Sequence, residues 1–168
     1  MPESEIYIIA TAIQKELAAM ITIDATPSTR VKVFKAVDVG FQFPEDVNID
    51  RLPVALIWLE NTPIESEEND FPVKSTPTMP VFCYFHIGKH DEAFRTLTRV
   101  AKAVCARIKD NHCEWHDADG ALLESITVTP TNVAYADIFN VFGFSRPIEP
   151  PLYGIRIDLE ITNLNSEI

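Results

Sequence analysis

The sequence predicts an α+β domain: a mostly antiparallel sheet of about five strands, with two helices packed on one face and the chain order α-β-β-β-α-β-β. Three observations carry this. Two stretches repeat apolar residues at helical spacing. Several others are rich in β-branched and aromatic residues. Three of these strand-like stretches follow one another between the two helical ones, as consecutive antiparallel strands do, and no internal repeat interrupts the order.

The first helix is expected over residues 4 to 21, where Ile6, Ile9, Ala10, Ile13, Leu17 and Met20 recur three and four apart and Ser4 stands before them as an N-cap. Pro27 closes the region behind it. Strands are expected at 31 to 34, 54 to 59 and 81 to 87. The last two are nearly continuous apolar runs. Such runs suit strands covered on both faces, or covered on one face by helices and on the other by a neighbouring subunit. A second helix is expected at about 91 to 110: Asp91 caps it, Phe94, Leu97, Val100, Ala101, Val104 and Ile108 form its apolar stripe, and Arg95, Arg99, Lys102, Arg107 and Lys109 its outer face. Two more strands are expected, near 122 to 129 and at 155 to 162. In the last of them Ile155, Ile157, Leu159 and Ile161 alternate with Arg156, Asp158 and Glu160, the pattern of a half-exposed strand.

A chain of 168 residues is the size of a single domain and buries about 70% of its extended surface. Its 46% hydrophobic and 23% charged residues are those of an ordinary globular protein. Two connections within this single domain, 1–168, are long. A projecting acidic loop at about 60–79 contains Pro63, Pro72 and Pro77 together with Glu65, Glu67, Glu68 and Asp70. Its prolines remove ladder donors and its charges repel, so it is expected to reach into solvent. A long aromatic loop at about 130–154 contains Tyr135, Phe139, Phe142 and Phe144 before Pro147, Pro150 and Pro151. Disordered segments are poor in aromatic residues, so this one is expected to pack on its own core or on a partner. Both loops are candidate interaction segments.

The net charge of −11 and pI near 4.7 argue against sequence-specific nucleic-acid binding, which needs cations to displace condensed counterions. Cys83, Cys105 and Cys113 are an odd count without regular spacing, as in a cytosolic protein with reduced thiols. The opening residues are acidic where a signal peptide is basic, and no apolar run approaches the ~20 residues that span a bilayer. Neither export nor membrane insertion is therefore expected.

The glycines form no phosphate-binding pattern and no nucleophile elbow. One cluster has ligand chemistry: His112, Cys113 and His116, with Glu114 and Asp117 between and beside them and His86 or His90 as further donors. It lacks the second paired set of a structural zinc site. A polar helix exit followed by a turn through Asp117 and Gly120, with Trp115 tucked against the core, explains it without a metal. Cys113 beside a histidine is also half of a thiol catalyst, but adjacency in sequence does not bring a base to the sulfur. His86 is expected at the rim of its strand. The acidic run at 65 to 70 lacks the spaced ligands and turn glycine of a calcium loop. No cofactor, metal or catalytic residue is therefore expected. The alternatives are a small metal-dependent or thiol enzyme, or a monomeric module whose aromatic loop covers a small-molecule pocket.

Taken together, several features resemble the tail-terminator, or tail-completion, proteins of long-tailed bacteriophages. These are the N-terminal helix with Ile9, Ile13 and Leu17, and the strand opened by Leu52, Pro53 and Val54. An apolar strand then runs directly into the Asp91 helix, a strand exits at Thr129 and Pro130, and the chain closes with a strand through Leu152, Tyr153, Gly154 and Ile155. The likeness covers nearly the whole chain. It implies a virion structural protein that forms a ring, commonly a hexamer, caps the tail tube and docks to the head connector. It further implies assembly in the cytoplasm of the bacterial host, a final place in the virion tail, and no reaction. At −11 per copy such a ring would be strongly anionic, in keeping with a channel that DNA slides through.

Overall fold

The computed structural model describes residues 5–21, 32–40, 49–58, 78–86, 90–111, 114–124, 126–137 and 152–163. Among them are α1 (Glu5–Ala18), β1 (Ala36–Val39), a single 3-10 turn (Ile49–Arg51), β2 (Val54–Ile57), β3 (Thr78–His86), α2 (His90–Asp110), β4 (Ile126–Asp137) and β5 (Leu152–Asn163). The protein is α+β, in the chain order expected. In space the strands run β1-β2-β3-β5-β4, so the last strand of the chain inserts between β3 and β4. Three of the four pairings are antiparallel, and only β1 and β2 run parallel.

The helices lie on one face. Ile9, Ile13 and Leu17 of α1 and Leu97, Val104 and Ile108 of α2 are buried together with Ile57, Val81, Ile155, Ile157 and Leu159 of the sheet. Heptad-like spacing on each helix and alternation on each strand put these side chains into one contiguous core. The two helices are tied to each other at their C-terminal ends, where Arg107 Nε and a terminal guanidinium nitrogen both lie 2.9 Å from Glu16 Oε2. Asn111 Nδ2 donates to the same oxygen at 3.2 Å. The Gln14 side chain donates to the Val37 carbonyl at 2.7 Å and fixes α1 to the edge strand.

A second, smaller cluster lies on the other side of the sheet: Val54, Leu56, Phe82 and Tyr84, each no more than 2% exposed. The apolar runs of β2 and β3 are thus covered on both faces within a single copy, the first of the two arrangements expected. Trp58, Leu52 and Ala36 pack against this cluster, with the Trp58 and Phe82 rings 4.7 Å apart. Towards β5 and β4 the same face turns polar. Arg156 lies over the Phe82 ring at 5.5 Å and pairs with Asp158 at 2.7 Å, and Asn132 of β4 donates to Asp158 at 3.3 Å.

Several expected boundaries are corrected. The strand expected at 31 to 34 is displaced: Lys32 makes only an isolated bridge to Ile21, Phe34 is buried in the core, and the ladder begins at Ala36. Thr129 and Pro130 are not a strand exit. They lie inside β4, which runs on to Asp137, and the register shifts between Pro130 and Asn132. A proline is tolerated there because β4 is an edge strand and a bulge has no ladder hydrogen bond to lose. The loop expected from 130 to 154 is accordingly strand at both ends. The strand expected from residue 122 begins at Ile126, since Leu122 forms only a bridge to His116. Asp91 lies inside the first turn of α2, which starts at His90, and not at its cap. An acidic side chain there still favours the positive end of the helix dipole. Ser4 lies outside the described residues.

Candidate interaction surface

The most exposed large apolar side chain among the described residues is Phe94, at 63%. Sequence spacing assigns it to the buried stripe of α2; the structure corrects this. At about 100° per residue, Leu97, Val104 and Ile108 centre the buried face, and Ala93 takes the place in the first turn that reaches the sheet. Phe94 falls on the flank towards β4. There it meets Tyr135, 43% exposed, with ring centroids 6.3 Å apart and planes inclined by 51°. Tilted aromatic pairs at this distance are favourable. Here the pair is presented to solvent.

Tyr135 is held by the register of β4 on β5, which sets it opposite Ile155 on the helix side of the sheet. β4 is one edge of the sheet, and Thr129, Thr131 and Asn132 along it are exposed. The aromatic pair therefore stands beside the strand that ends the sheet among the described residues, the kind of edge that can accept another chain.

Beyond Phe94 on α2 comes a cationic ridge. Arg95, Arg99, Lys102 and Lys109 are exposed, as the sequence predicts, whereas Arg107 is half-buried in its pairing with Glu16. Between Ala93 and Lys109 there are five cations and no carboxylate, in a chain that has 14 basic and 25 acidic residues.

Tyr135 is the one expected interaction residue that the structure describes; Glu65, Glu67, Glu68, Asp70, Phe139, Phe142 and Phe144 lie outside the described residues. His116 is exposed beside the turn at Asp117 to Gly120, in which the Asp117 side chain accepts from the backbone of Asp119 and Ala121. His112 and Cys113 lie outside the described residues. Among the described residues no group of three or more His, Cys, Asp or Glu side chains is placed to hold a metal ion. Trp115 is 1% exposed, packed against the core as expected, and His86 is exposed at the end of β3. Cys83 is fully buried on the helix side of β3, and Cys105 of α2 is half-buried; both are free thiols. Burial pushes the Cys83 thiol up, and Cys105 nearby adds to this. Cys105 is raised by burial too, with Lys109 pulling the other way. Such thiols stay protonated and serve as packing, because the thiolate is the nucleophile.

Among the described residues no helix is long and apolar enough to cross a membrane. No family model and no curated protein matches the chain. Fold and surface together define an α+β protein whose exposed feature is an aromatic and cationic face at a sheet edge.

Proposed function

We propose that this protein is a structural assembly subunit of the tail-terminator kind, a ring that caps the tail tube of a long-tailed phage and docks to the head connector. The observation that carries the reading is the exposed Phe94 and Tyr135 pair beside β4, the strand that ends the sheet among the described residues. Aromatic side chains presented in this way are the usual anchors of protein interfaces. Supporting it, four of the five segments on which the resemblance rests fold as α1, β2, β3 followed closely by α2, and β5; the fifth, at Thr129 and Pro130, lies inside β4 and not at a strand exit. In this reading the subunit works through its surfaces, with copies of itself, tail-tube subunits and the connector as partners, in the host cytoplasm during assembly and then in the virion tail. It needs no cofactor and carries out no reaction.

Electron microscopy of the purified protein, alone and mixed with tail tubes, tests this. Closed rings, or added density at one end of the tubes, are expected. Particles that remain single subunits and leave the tube ends bare would contradict the reading.

A further inference from the structure

We infer that the connection from β1 to β2 crosses the sheet on the face away from the helices, and that residues 41 to 48 within it seat on the second apolar cluster of their own copy. That face is then a core closed by the chain itself, and partners meet the subunit elsewhere.

The topology sets the side. β1 and β2 are parallel neighbours, so the chain must return from the end of β1 to the start of β2 across one face of the sheet. Such connections are almost always right-handed. α2 makes a second one: β3 and β4 are both antiparallel to β5, hence parallel to each other, and α2 joins them over the helix face. Both connections step the same way along the order β1-β2-β3-β5-β4, but β2 runs opposite to β3. Two such steps share a hand only when they cross on opposite faces. With α2 on one face, the connection from β1 to β2 belongs on the other. The β2 to β3 connection joins antiparallel neighbours and has no face to cross.

The described ends of the connection agree. It leaves at Gly40, whose N–H donates to the Ile57 carbonyl at 2.9 Å, and returns at Pro53, whose carbonyl accepts from the Lys35 N–H at 2.7 Å. Val37 faces the helices, so Asp38 beside it faces away, and Arg51 pairs with Asp38 there at 2.7 Å. Leu52 packs directly on the second cluster. In that cluster Leu56 is 1% exposed and Tyr84 0%, although both helices lie on the opposite face. The described apolar side chains packed against it are Ala36, Leu52 and Trp58; Ala36 and Trp58 project from the sheet itself and shield their neighbours only from the side. Residues 41 to 48 supply what is needed above them. Phe41 and Phe43 stand two apart, on one side of an extended segment, and Pro44 needs no ladder partner. These eight residues reach roughly 26 Å when extended, about twice the length of the four-residue β2.

The test is hydrogen exchange, read by mass spectrometry, in a variant carrying Phe41→Ala and Phe43→Ala, with Phe71→Ala as its counterpart in the β2 to β3 connection. The double variant is expected to speed exchange of the β2 amides at least about tenfold more than that of the α2 amides, equally at low and high protein concentration. Its loss of stability is expected to be smaller in a Phe82→Ala background than in the parent, as for residues in contact. If circular dichroism shows the double variant unfolded, Phe43→Leu and Arg51→Gln are read in the same way, with a selective rise of at least about twofold. Exchange in β2 that rises no more than in α2 overturns the inference. So does a selective rise in Phe71→Ala alone, which gives the cover to the β2 to β3 connection. A rise confined to concentrations at which the protein is associated overturns it as well and gives the face to a second copy. None of these results depends on whether rings form.

Discussion

Replacing Phe82 by alanine tests whether the sheet face turned away from the helices is a core made by one chain. Phe82 is 2% exposed in a single copy, packs against Trp58 and carries Arg156 over its ring. Truncating a buried phenylalanine costs about 3–5 kcal/mol, and losing the partly exposed cation–ring contact adds up to about 1 kcal/mol. With an unfolding entropy of about 2.1 cal/mol/K per residue over 168 residues, the chain unfolds with roughly 350 cal/mol/K. A loss of about 3–5 kcal/mol then lowers Tm by roughly 9–14 °C. Differential scanning calorimetry of parent and variant at two widely separated protein concentrations is the assay. Because the cluster is closed within one copy, the difference between parent and variant is expected to be the same at both. Phe82→Leu, which keeps most of the apolar volume, is expected to cost less than half as much. A shift below about 3 °C, or one seen only where the protein is associated, would refute the reasoning and return this face to a neighbouring subunit.

Three further outcomes follow from the described contacts. A double-mutant cycle on Glu16 and Arg107 is expected to give a coupling of about 0.5–1 kcal/mol by denaturant unfolding, reduced by salt because both side chains are partly exposed; no coupling would mean α1 and α2 are held by apolar packing alone. Cys83 is pushed up by burial and so keeps in the folded state a proton that the unfolded chain loses. Its contribution is complete below the unfolded thiol pKa near 8.5 and is lost above it, by about 1.4 kcal/mol per pH unit. Stability measured from pH 8 to 10 is expected to fall, and to fall less steeply in Cys83→Ala; equal slopes would contradict this. Gly120 has φ of +85°, so Gly120→Ala is expected to cost about 1–2 kcal/mol although nothing crowds the added methyl; an unchanged melting temperature would count against the turn described at Asp117.

The helices and the two central strands were legible because their patterns are strong and local. Leu97, Val100, Ala101, Val104 and Ile108 keep helical spacing over several turns, and β3 is buried from Met79 to Phe85 as its apolar run implies. The edges were harder to read, for physical reasons. β1 is four residues long and pairs in parallel with a strand of equal length. Its position is set by contacts with β2 and by Gln14, so the β-branched residues just before it were the stronger local signal. Pro130 reads as a terminus because it lacks a donor, and only the bulge on an edge strand makes it an interior residue. Placing β5 between β3 and β4 required knowing which long strands pair, which alternation alone does not reveal. Of the candidate surface, the cationic side of α2 and Tyr135 were visible in the sequence. Phe94 was not, because one aromatic residue at the flank of a stripe fits either a core or a surface. The available signal was Ala93, whose angular position on the helix fits the buried face better.

The central claim is that this protein acts by assembling. The most direct measurement is negative-stain electron microscopy of the purified protein, with its mass in solution determined by light scattering on the same sample. The account predicts closed rings of one size and a mass that is a whole multiple of 18.9 kDa. A mass of a single chain throughout the micromolar range, with no rings on the grid and none at the ends of added tail tubes, would contradict it.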